Sequence, residues 1–199
     1  MRKISSEVEA EVNVDLKNIY SMQRSYWSDK KDNKEYYGKF SAFILKNNLS
    51  EEGNARLIVY VENPDKVGEM RKVVDNEKFI WSGVMTGTEP SLSVNHKNSL
   101  MIEMGNDAIG RNAWREVITT KISAKTNEVE VIGYDYVTYD KLQLGNGFTC
   151  SYNFITGKAH ATVIKPNGKI KTRKVIGIKK TINLNDWNED SKPEDCMPE

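Results

Sequence analysis

From Phe40 onward, apolar and polar residues mostly alternate, which is the period of strands with one face buried. "FSAFILKNN", beginning at residue 40, and "ARLIVYVEN", beginning at 55, are separated by the turn-rich "LSEEGN" and predict a hairpin. "KFIWSGVM" follows and stops at "TGTEP", a Gly/Pro break. In "SLSVNHKNSLMIEMG" a polar turn at 95–98 divides two alternating segments, and "NDAIGRNAW" reads as a loop. "REVITTKIS" and "NEVEVIGYDYVTY" flank "AKT", and "TCSYNFI" and "AHATVIK" flank "TGK", giving two further hairpins. "PNG" at 166–168 is a tight-turn signal, because Asn-Gly tolerates the positive φ such turns need, and "KIKTRKVIGI" returns as a strand. The pattern predicts a mainly β fold of about eight to ten short strands, in an antiparallel sandwich, a barrel or a blade-like sheet.

Before residue 40 the pattern differs. Val8, Val12, Leu16, Ile19 and Tyr20 recur at steps of three and four, and Ser6 with Glu9 has the spacing of a capping box. This predicts an N-terminal helix over 6–27, followed by a charged loop, "SDKKDNKEYYGK", at 28–39. At the other end, "NEDSKPEDCMPE" at 188–199 is acidic and carries two prolines, as a loosely held tail does. The expected organisation is thus residues 1–39 as helix and loop, 40–187 as one all-β domain, and 188–199 as a flexible acidic tail.

Composition narrows the function classes. Lys and Arg number 29 against 28 Asp and Glu, so the chain lacks the positive surplus that a general nucleic-acid binder uses to displace counterions. No apolar run approaches the roughly 20 residues of a membrane-spanning helix. Glu7, Glu9 and Glu11 stand where the apolar stretch of an export signal would follow Arg2 and Lys3, so no signal peptide is expected there. The charge is uneven, however. Lys165, Lys169, Lys171, Arg173, Lys174, Lys179 and Lys180 form a basic run with no acid inside it. Such a run protects an exposed strand edge, presents a docking face to an acidic partner with Lys171 and Arg173 at its centre, or makes a weak internal contact with the acidic tail.

Few residues point to catalysis. The two histidines, His96 and His160, are far apart, and Cys150 and Cys196 match no zinc or CxxC spacing. The two cysteines are either free thiols or a disulfide tying the tail to the sheet. Asp186, Asn188 and Asp190 have the first three spacings of a calcium loop, but Ser191 and Met197 occupy the positions where Gly and Glu belong. No GxSxG element and no phosphate-binding loop is present, so no catalytic residue, metal or cofactor is assigned. Aromatics are the remaining candidates. In "VEVIGYDYVTYD", Tyr134 and Tyr136 share one face of a strand, either as cross-strand packing or as a binding platform.

The segments "ARLIVYVEN", "NSLMIEMGNDAIGRNAWREVITTKI", "EVEVIGYDYVTYD", "CSYNFITGKAHATV" and "INLNDW" occur in an order that resembles a loosely defined group of small bacterial proteins, mostly exported or lipid-anchored. The resemblance spans about two-thirds of the chain, from Ala55 to Trp187. It implies a β fold and a periplasmic or envelope location, with the cytoplasm as the alternative. Some relatives are proposed inhibitors of lysozyme-type enzymes, and proteins of this build also serve as immunity factors. The expectation is a non-enzymatic protein that neutralises a toxin or a cell-wall hydrolase by laying a loop across its cleft. The candidate loops are Thr86–Pro90, Asn106–Trp114 and Lys141–Gly147. Arg111 and Trp114 are the residue types that anchor interfaces. The alternative is an envelope glycan-binding module that stacks sugars on Trp81, Trp114, Tyr134 or Tyr136.

Overall fold

The computed structural model describes residues 19–46, 54–63, 66, 68–83, 85, 87–124, 126–143 and 145–196. Strands β1 (Ile19–Lys31), β2 (Lys34–Leu45), β3 (Ala55–Glu62) and β4 (Met70–Ile80) form one antiparallel sheet in that order. Strands β5 (Ser91–Val94), β6 (Leu100–Asn106), β7 (Asn112–Ile122), β8 (Val129–Asp140), β9 (Gly147–Asn153), β10 (Lys158–Ile164) and β11 (Ile170–Ile176) form a second, each pairing with the strand before it. A short eighth strand, β12 (Ile182–Asn183), pairs with Val131 and Glu130, at the end of β8 that β9 leaves free. The described residues therefore carry twelve strands rather than eight to ten. The hairpins expected from period two, β5–β6, β7–β8, β9–β10 and β10–β11, all form.

The two sheets share one core. Phe40, Leu57, Val59 and Phe79 of the first pack in the same cluster as Ile102, Ile118, Val131 and Tyr134 of the second, so the architecture is sandwich-like. β3 is buried along nearly its whole length, because Ile58 and Tyr60 on its other face pack with Phe43 of β2 in a second, smaller cluster.

The N-terminal helix is not supported. Its first part, 6–18, lies outside the described residues, and the rest, from Ile19, is strand β1. The charged stretch at 28–39 is not a loop but the two ends of a hairpin. Asp32 and Asn33 form its turn, both with positive φ (51° and 61°), the geometry of the tight turn whose twist suits paired strands. Apolar spacing misleads here because Ser21, Gln23, Ser25 and Asp29 alternate as the more sheltered positions with Met22 and Tyr26 outside. Two of the sheltered polar groups have partners across the sandwich. Ser21 Oγ accepts from the Leu92 amide at 2.9 Å, and Asp29 accepts from the Ala124 amide and pairs with Lys121.

Residues 184–196 are packed onto the sandwich, where a loose tail was expected from 188 on; 197–199 lie outside the described residues. Leu184, Trp187 and Cys196 are fully buried. Asn76 of β4 donates to the carbonyls of Leu184 and Trp187 at 2.8 and 2.9 Å, and Asn185 caps the neighbouring backbone of β4. Trp187 meets the rings of Tyr134 and Phe154. Two short 3-10 turns follow, and Cys196 closes a disulfide with Cys150 of β9. The segment is thus a strap fastened to both sheets.

Candidate functional site

Register places the site. Met104, Glu116 and Tyr136 lie in one row across β6, β7 and β8, and Trp114 lies one step along β7 on the same face. Trp81, just past β4, reaches over from the first sheet and meets Trp114 edge to face, with ring centroids 5.4 Å apart. Asn54 borders the opening, and Glu189 and Lys192 of the strap close one side. Together these residues line an open cleft of about 360 Å³.

Aromatic walls surround a charged floor. Glu116 is buried, and its Oε1 accepts from Lys192 Nζ at 2.7 Å. The same ammonium reaches Glu189 Oε2 at 2.6 Å. Burial alone would lower the Lys192 pKa, but the two carboxylates outweigh it and hold the pKa above its ordinary value. Glu116 Oε2 makes no well-aligned hydrogen bond, although the Tyr134 hydroxyl lies close to this carboxylate. A buried carboxylate oxygen without a well-aligned donor is costly, and it is the group a ligand would satisfy. Lys192 has three N–H donors and two acceptors here, so it can also offer a donor. The cleft therefore presents an acceptor and a donor side by side beneath two indoles and a phenol.

The sequence-predicted residues divide. Trp81, Trp114 and Tyr136 come together as cleft walls. Tyr134, expected as a contact residue, is corrected to a core residue: it is 1% exposed, beneath Trp187. Burial, with the nearby Glu116 carboxylate, pushes its hydroxyl pKa up. Lys171 and Arg173 are exposed on β11, well apart from the cleft in the sheet order, and Arg173 donates to the Asp195 carbonyl.

Arg111 belongs to a second locus. Its guanidinium pairs with Asp140 Oδ2, while Asp140 Oδ1 accepts from the amides of Leu142 and Gln143. The Arg111 pairing, with these amides, holds the Asp140 pKa down at about 2. Tyr139 and Lys141 reach Asp107, joining the loops after β6 and β8 into one tip, which displays Ile109 and Leu142 to solvent. Thr86 and Leu144, inside two of the candidate loops, lie outside the described residues.

Glu116 and Lys192 escaped sequence reasoning because 76 residues separate them. Two signals existed. Glu116 occupies the apolar phase of β7 between Trp114 and Ile118, and Lys192 sits four residues before a cysteine whose pairing fixes where the strap lies. Among the described residues, no group of three or more His, Cys, Asp or Glu side chains is placed to hold a metal ion. Comparison with protein-family models, with curated proteins and with solved structures finds no match.

Proposed function

We propose that this chain is a non-enzymatic binding protein of the bacterial envelope that holds a glycan in the cleft between Trp81, Trp114 and Tyr136. The observation that carries this reading is the buried Glu116–Lys192 pair, with one carboxylate oxygen lacking a well-aligned hydrogen bond, at the base of an aromatic-walled cleft. A sugar ring has an apolar face for the indoles and adjacent hydroxyls that donate to Glu116 and accept from Lys192. The Cys150–Cys196 disulfide supports an oxidising compartment. Titration with envelope glycan fragments, followed by tryptophan fluorescence, tests it. A saturable shift in the wild type that is lost in Glu116→Gln and Trp114→Ala is expected.

A second reading has its own observation. The tip pinned by Asp140 and Arg111 holds Leu142 (76% exposed) and Ile109 in fixed, protruding positions, as a neutralising loop inserted into a toxin or wall hydrolase would. In this reading Arg111 shapes the loop from within, and the apolar tip makes the contact. Capture of one stoichiometric hydrolase or toxin by the wild type, lost in Leu142→Asp, distinguishes it from glycan binding, which that variant leaves intact.

A further inference from the structure

The eight-stranded sheet is wider than the four-stranded sheet it packs on, and at β11 it runs out of cover. Every residue of β11 except Val175 is exposed. Pairing of Lys158 with Ile176, His160 with Lys174, Thr162 with Thr172 and Ile164 with Ile170 puts these eight residues on one outward face. The intervening Ala159 and Ala161 of β10 point to the core. Three isoleucines stand out in water: Ile170 at 67%, Ile176 at 81% and Ile178, just beyond the strand, at 76%. Between Asp140 and Asp186 the sequence holds eight lysines, one arginine and no acid, so the remaining chain is net acidic.

From this we infer that the β10–β11 overhang docks the protein on an anionic lipid surface. Edge protection explains lysines on β11, because charge there discourages strand addition. It does not explain three bare isoleucines among them, since exposed apolar residues favour the very association that lysines prevent. An acidic protein surface would satisfy the lysines and leave the isoleucines in water. A headgroup layer offers phosphates to the ammonium groups and acyl chains to the isoleucines at both ends of the strip, while lysine stems lie along the boundary. The inference does not depend on what fills the cleft, which opens on the inner side of β7 and β8.

Co-sedimentation tests it, using the full chain with vesicles of phosphatidylcholine alone and with phosphatidylglycerol added. Binding to the anionic vesicles only, weakening as salt rises, is expected. Lys158→Ala/Lys174→Ala, the two lysines on the same outward face as Ile170 and Ile176, weakens binding about 25-fold, from about fivefold per lysine. Ile170→Ser/Ile176→Ser/Ile178→Ser weakens it while keeping the salt dependence. Circular dichroism of both variants matches the wild type, because the altered side chains are exposed. Absence of sedimentation with anionic vesicles overturns the inference. So does an isoleucine variant that binds like the wild type, or binding to soluble polyglutamate that anionic vesicles fail to displace; these two outcomes assign the face to an acidic partner instead.

Discussion

Within one eight-stranded sheet, charge is used in opposite ways at the two halves. Over β7 and β8, the strap and the first sheet cover the sheet around an open cleft, and Glu116 is held against Lys192 at 2.7 Å. On the outward face of β10 and β11 nothing among the described residues covers the sheet, and Lys158 and Lys174 stand in solvent. Cover makes the difference. A buried carboxylate needs a partner, so its neighbours are fixed and the group it leaves unsatisfied becomes selective. Exposed lysines need none, so they act only through their summed field on whatever approaches. In the proposed reading, the covered half recognises a small ligand and the bare half docks a surface.

The contrast is sharpened most by removing the cover. Trp187→Ala deletes a fully buried ring between Tyr134 and Phe154 and is expected to lower stability by about 3–5 kcal/mol in urea unfolding. Cys196→Ser opens a link spanning 46 residues and is expected to lower it by about 3–4 kcal/mol, a loss that dithiothreitol reproduces in the wild type. Lys192→Met leaves Glu116 without its cation and should reduce stability by about 2–3 kcal/mol, somewhat less than for a wholly buried pair because the site opens to the cleft. Adding Glu116→Gln should recover part of that loss, measured as a double-mutant cycle. The pH dependence follows from the raised Lys192 pKa. Its contribution is complete below the ordinary value of 10.5 and disappears as pH rises through the higher folded value, a limb that the methionine variant lacks.

At the loop tip the sign reverses. Asp140 titrates at about 2 in the folded protein against an ordinary 3.8, so its contribution is present above the ordinary value and lost as pH falls through about 2. Acid unfolding of Asp140→Asn should lack that step. Smallest of all, Lys171→Ala and Lys174→Ala are each expected to change stability by less than about 0.5 kcal/mol, since neither covers nor fills anything. A larger loss on the bare half than on the strap would break the comparison.

Much of the second sheet is legible in the sequence, because its strands alternate cleanly and its turns carry the expected Asn, Gly and Lys-Thr signals. β1 is not, because from Ser21 to Asp29 the one apolar sheltered position is Trp27; Ser21, Gln23, Ser25 and Asp29 are polar, and Ser21 and Asp29 hydrogen-bond across the sandwich. Polar sheltered positions erase period two, and the apolar residues just before it happen to recur at helical steps. The strap was equally hidden. "NEDSKPEDC" is acidic and proline-bearing, as loose tails are, and what fastens it, the packing of buried Trp187, the Asn76 bonds, the Lys192–Glu116 pair and the disulfide, is not local in sequence. Of the site, the aromatics Trp81, Trp114 and Tyr136 were readable as binding types. The Glu116–Lys192 pair was not, since nothing local joins residues of β7 to a segment that a distant cysteine brings over them.

Tryptophan fluorescence during titration with envelope glycan fragments bears most directly on the central claim, because Trp81 and Trp114 form the cleft walls. A saturable shift in the wild type, abolished by Glu116→Gln although that variant remains folded, is the predicted result. Unchanged fluorescence across those fragments, or a shift that survives Glu116→Gln undiminished, would contradict it.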